Sequence, residues 1–106
     1  MVAKNSFYPI ILKSINSSAI SSGSYSAINP AGLSNPCSLI FILNRSSNDI
    51  FVSFDGSNDH DYIPSEKELA LEVPYRDSYF SELSKIYVRG VAGTGSIYLS
   101  AYAQNE

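Results

Sequence analysis

The residues with most chemical potential lie in one short segment, Asp55-Gly-Ser-Asn-Asp-His-Asp61, which holds three carboxylates, an amide and the chain's single histidine. Calcium takes roughly six to eight oxygen ligands from closely spaced carboxylates and carbonyls. Asp55, Asn58, Asp59 and Asp61 would supply several of them. The EF-hand spacing also needs a glycine at its sixth position and a glutamate at its twelfth behind the leading aspartate, and no alignment of this segment provides all three. A tight turn in which aspartate side chains cap backbone amides explains the same residues without an ion, so no metal site is assigned. His60 has no second histidine or nearby cysteine with which to close a zinc site. An acidic pair such as Asp59 with Asp61 would suit a small hydrolase only if the two met in a pocket. No Ser-His-Asp order and no cofactor fingerprint accompanies them, so the chain reads as a non-enzyme with no catalytic residue and no cofactor.

Cys37 is the only cysteine. It excludes an intramolecular disulfide and a multi-cysteine zinc site. Only Ser38 separates it from the apolar run at 39–43, which predicts a buried, inert thiol. Val91-Ala-Gly-Thr-Gly95 has neither the spacing nor the lysine of a phosphate-cradling loop, and its two glycines suit a hairpin turn. Eight tyrosines and no tryptophan point to recognition by aromatic faces. Tyr87, Tyr98 and Tyr102 are expected on one outward face, as a platform for a sugar ring or, preferably, as a protein interface, where tyrosine is enriched.

The elements that must position these residues read as strands. Residues 49–64 run as a strand, an Asp-Gly turn and a returning strand ended by Pro64. Ile50, Val52 and Phe54 share one face, with apolar Phe51 on the other. The continuous run Leu-Ile-Phe-Ile-Leu at 39–43 has strand length and should be the most buried strand; the polar residues 44–49 are read as a hairpin leading out of it. Residues 67–73 alternate, with Leu69, Leu71 and Val73 on one side and Glu68, Ala70 and Glu72 on the other. Residues 78–84 suit one or two helical turns with Tyr79, Phe80 and Leu83 inward. A last hairpin is expected to join 85–90 to 96–103, placing Ile86, Val88, Ile97, Leu99 and Ala101 in the core. Residues 7–15 form a first strand in which Pro9 is tolerable only at an edge or strand start. In the Ser-rich segment 16–36 a weak strand at 23–28 is followed by a loop.

At 106 residues the chain has room for one domain. Charged residues are only 16% of it, which suits a packed subunit with neighbours. Between residues 55 and 77 seven acids face only Lys67 and Arg76. Phosphate binding needs clustered Lys and Arg, so nucleic acid is not an expected partner. The apolar run near the N-terminus is too short and interrupted for a signal peptide or a membrane span, so no membrane partner is expected and folding is expected in a cytosol. Asn16 and Asn44 open Asn-x-Ser triplets that are chance matches among twenty serines.

Asn44-Arg-Ser, Asp49-Ile-Phe-Val-Ser-Phe-Asp-Gly, Asp59-His-Asp-Tyr-Ile-Pro64 and Ile86-Tyr-Val-Arg-Gly-Val-Ala-Gly-Thr-Gly-Ser-Ile-Tyr-Leu-Ser together resemble the small structural proteins of tailed-bacteriophage virions. The resemblance covers roughly residues 39–102 and leaves out the Ser-rich segment. It implies a β-sandwich that builds multimers on the particle, as a head decoration or as a head-to-tail or tail component, and it implies no catalytic residue. The expectation is therefore an all-β, jelly-roll-like sandwich at residues 37–106, preceded by an N-terminal arm and Ser-rich segment at 1–36. Its partners would be itself, as a homo-oligomer in a symmetric assembly, and other virion proteins, made in the host cytoplasm. Residues 1–15 are expected to leave the body and add a strand to a neighbour, with Phe7, Tyr8, Ile10 and Ile11 as interface residues. The reading from another class is a carbohydrate- or receptor-binding module that uses the tyrosine face.

Overall fold

The computed structural model describes residues 6–72, 80 and 83–105. Apart from a 3-10 turn at Ser17–Ala19, the regular structure among them is all strand: β1 (Ser6–Pro9), β2 (Lys13–Asn16), β3 (Ser26–Ala27), β4 (Leu39–Ser46), β5 (Ile50–Ser53), β6 (Asp61–Ile63), β7 (Glu68–Glu72), β8 (Tyr87–Arg89) and β9 (Gly95–Asn105). The strands form two antiparallel sheets. One has the order β1-β9-β4-β7, with β2 also on β9, and the other the order β3-β8-β5-β6.

Period-2 alternation decides which side chains enter the core. In β4, Ile40, Ile42, Asn44 and Ser46 are buried while Leu39, Phe41, Leu43 and Arg45 are half-buried. Ile97, Leu99 and Ala101 of β9 join them from the first sheet, and Ile50, Val52, Ile63 and Val88 come from the second, all in one cluster. Each large aliphatic side chain removed from water contributes roughly 2 kcal/mol. The Ser-rich segment belongs to the same core through Ile20, Ile28 and Leu33.

The β5–β6 hairpin stands where the Asp-Gly pattern places it, with Ile50 opposite Ile63 and Gly56 at φ +77°. The other two expected hairpins are absent. β4 and β5 lie in different sheets, as do β8 and β9, so residues 47–49 and 90–94 are crossovers between sheets. Gly95 makes the second crossover possible: at φ +87° it lies so close to the Arg45 carbonyl that a Cβ has no room.

Within the described residues, 6–16 do not leave the body. β1 and β2 both pair with β9 of their own sheet, because β9 extends eleven residues and offers them its free edge. Pro9 faces Tyr102 while Lys13 faces Leu99, so three residues of the edge strand oppose two of β9. This is a β-bulge, and it separates half-buried Ile10 from Ile11, which is 79% exposed. The helical turns expected at 78–84 and the place of Val73 fall mostly outside the described residues. Within them, Phe80 bridges Cys37 by two backbone hydrogen bonds, and Leu83 points outward, 69% exposed.

Candidate functional site

The acidic loop between β5 and β6 is held by its own amides. Asp55 Oδ1 accepts from the backbone N–H of Ser57 (2.8 Å) and Asn58 (2.9 Å), and Oδ2 accepts from Asn58 Nδ2 (3.0 Å). The Asn58 side chain and these backbone donors hold the Asp55 carboxyl well below the usual carboxylate range. His60 Nδ1 accepts from the Phe54 N–H at 3.0 Å. Asp59 is engaged on both oxygens by Arg89, with Nε to Oδ1 at 2.9 Å, and Oδ1 also accepts from the Tyr25 hydroxyl. Arg89, then Tyr25, lower the Asp59 carboxyl. Arg89 in turn donates to the Ser22 carbonyl at 2.9 Å and lies 4.5 Å over the Phe51 ring.

This arrangement latches the hairpin to β8 and to the Ser-rich segment. Held ionised in this way, Asp59 is not itself a raised-pKa proton donor. Among the described residues, no group of three His, Cys, Asp or Glu side chains is placed to hold a metal ion. Cys37 is fully buried, and its burial pushes the thiol upward.

The three tyrosines do not form one platform. Tyr87 is on β8 of the second sheet, where its ring lies 3.2 Å from the Cβ position of Gly56. Tyr98 and Tyr102 are on β9 of the first sheet, alternating with core-facing Ile97, Leu99 and Ala101. The inner faces of the two sheets share one core, so their outer faces look away from each other. Tyr102 meets Phe41 edge-on at 6.2 Å. The aromatic surface that does form was missed in the sequence: Phe51 and Tyr62, directly opposite in the β5–β6 ladder, have ring centroids 5.2 Å apart. Tyr62 donates its hydroxyl to Asp49, whose other oxygen accepts the Ser65 N–H at 2.9 Å. The available signal was an apolar residue on the outer face of a hairpin strand with a tyrosine at its cross-strand position.

A concave surface lies at the bulge. Ile10, Ile11, Lys13, Leu33, Leu83 and Leu99 line a groove of about 220 Å³. The bulge turns the edge strand outward on one side. On the other, Gly32 at φ +83° lets the loop after β3 approach the Leu83 backbone, whose N–H donates to the Leu33 carbonyl at 3.0 Å. Buried Asn29 fixes that loop, donating to the Ser84 carbonyl at 2.9 Å and accepting from the Ile86 N–H at 2.8 Å. Ile11 and Leu83 are the two most exposed large apolar side chains among the described residues. Of the residues expected at an interface, Ile10 and Ile11 line this groove. Phe7 and Tyr8 lie in β1, whose backbone pairs with Gln104 and Ala103.

No family model and no curated protein matches the chain. It is similar in structure to a chain of Bacillus endospore appendages, described as forming a novel family of disulfide-linked pili. The TM-score is 0.54 at 8% identity, over 98% of this chain and 93% of that one. At this identity the likeness is one of fold.

Proposed function

We propose that the chain is a non-enzymatic structural subunit, a jelly-roll β-sandwich that acts through contacts with copies of itself and with other proteins of a multi-subunit particle. The jelly-roll reading is supported by the strand orders β1/β2-β9-β4-β7 and β3-β8-β5-β6, in which the chain crosses between sheets from β4 to β5 and from β8 to β9. The particle proposed is a tailed-phage virion, on the strength of the resemblance over residues 39–102. The observation that carries the assembly reading is that exposed Ile11 and Leu83 line one apolar groove. Contiguous apolar surface rimmed by polar residues marks an interaction site.

The similar fold of a pilus chain agrees with such a role, but the linkage must differ. These 106 residues hold one cysteine, fully buried, and one thiol can join at most two chains. On this reading assembly is non-covalent, and reducing agent should leave the native mass unchanged. The test is the solution mass of the wild-type chain beside an Ile11→Asp/Leu83→Asp variant, with circular dichroism to establish that the variant is folded. An oligomer that the double substitution returns to monomer supports the reading; an oligomer indifferent to it places the interface elsewhere.

A carbohydrate-binding role is favoured by one observation, the shallow depression lined by Phe51, Asp59, His60, Asp61 and Tyr62. Aromatic rings beside carboxylates suit a sugar's apolar face and hydroxyls. Binding on a glycan array that is lost in Tyr62→Ala would select that reading.

A further inference from the structure

The groove's occupant can be read from how charge is distributed over the fold. Residues 1–48 contain no Asp or Glu, and nine of the ten acids fall between Asp49 and Glu82. Asp77 and Glu82 lie outside the described residues, and Asp59 is tied to Arg89 and Tyr25; for the acids between Asp61 and Glu72 the topology turns the sequence asymmetry into a spatial one. β1/β2 and β7 are opposite edges of the first sheet, and β3 and β6 are opposite edges of the second. The loop after β3 lines the groove together with β1/β2, whereas β6 passes into β7 through a turn closed by the Lys67 N–H to the Pro64 carbonyl at 3.1 Å. One side of the molecule is therefore the β1/β2–β3 edge and the other the β6–β7 edge.

The first edge carries exposed Lys13 in the groove itself. Exposed Lys85 stands beside it, between two residues that are hydrogen-bonded to groove-lining Asn29. The second edge carries exposed Glu66, Glu68 and Glu72, half-buried Asp61, and Tyr62, the large apolar side chain exposed there at 49%. Lys13, Lys85, Glu66 and Glu72 make no ion pair among the described residues. Backbone pairing between copies is opposed at each edge: β3 has two residues, β6 has three and is followed by Pro64, β7 alternates glutamates, and β1 ends at Pro9 before a bulge. What remains complementary is side-chain chemistry.

We infer, resting on the assembly reading above, that the groove receives a second copy of this chain, whose acidic β6–β7 edge docks head-to-tail on the basic β1/β2–β3 edge. Such a heterologous contact builds a ring or an open filament according to its rotation. It also differs in its response to charge from a two-fold contact of groove against groove, which would set Lys13 against Lys13.

The test uses the whole chain as wild type, Lys13→Glu/Lys85→Glu and Glu66→Lys/Glu72→Lys, all at exposed positions, compared by sedimentation velocity at low and high salt. Wild-type association should weaken about tenfold between about 50 mM and 500 mM salt as the charges are screened. Each variant alone should be monomeric, and an equimolar mixture of the two should associate again, since each then meets an edge of opposite charge. Association that persists in Lys13→Glu/Lys85→Glu, or a mixture that stays monomeric, overturns the head-to-tail contact while leaving assembly intact. A wild-type chain that is monomeric at every concentration overturns the assembly reading and this contact with it.

Discussion

Asn44 shows how a single polar residue can fix a fold. Fully buried on the core side of β4, it donates Nδ2 to the Asn48 and Ile63 carbonyls at 3.0 Å each, and its Oδ1 accepts from the Ser46 N–H at 3.1 Å and from the Ser46 hydroxyl. It thereby ties the first sheet to β6 of the second and to the crossover between them. Asn44→Ala leaves several buried groups without this partner and should cost about 3 kcal/mol in urea unfolding. The aspartates of the hairpin act at the same scale. Asp49, Asp55 and Asp59 all lie below the ordinary carboxylate value of 3.8 in the fold, through Tyr62, Asn58 and Arg89 respectively. A carboxyl lowered by folding contributes stability above its unfolded pKa, and this is lost as pH falls through the folded values. Melting temperature should therefore be nearly flat from pH 7 to about 5 and fall below about pH 4, with a shallower acid limb in Asp55→Asn.

At the scale of elements, the crossover into β9 depends on Gly95, which faces Ser46 across the ladder. Gly95→Ala should destabilise by about 3 kcal/mol, because a Cβ meets the Arg45 carbonyl and the backbone conformation excludes L side chains. The β5–β6 hairpin was legible in sequence because strand, turn and return are contiguous and Asp-Gly states the turn chemistry locally. The β4–β5 and β8–β9 connections were not. Alternation tells which face of a strand is apolar, but not which sheet the next strand joins, so two crossovers looked like hairpins and Asn44 looked like a turn residue. The same gap split the tyrosines: Tyr87, Tyr98 and Tyr102 were rightly opposite their core-facing neighbours, yet on two different sheets. The bulge at residues 10–12 left no local signature, since it arises from registers against Tyr102 and Leu99. Ile10 and Ile11, expected on an arm that reaches a neighbour, instead line the groove of their own chain.

At the scale of the whole molecule, the fold sets exposed Ile11, Leu83 and Lys13 at one edge and exposed Glu66, Glu68 and Glu72 at the other. The candidate site was half legible: the charge asymmetry is written in the sequence, but which edge each half occupies is set by sheet order. The most direct measurement is the native mass of the unmodified chain by light scattering over a wide concentration range, against a protomer mass of 11.6 kDa. A structural subunit gives a mass that rises with concentration or stands at a defined multiple of the protomer. A mass of one protomer at every concentration would contradict self-assembly of this chain.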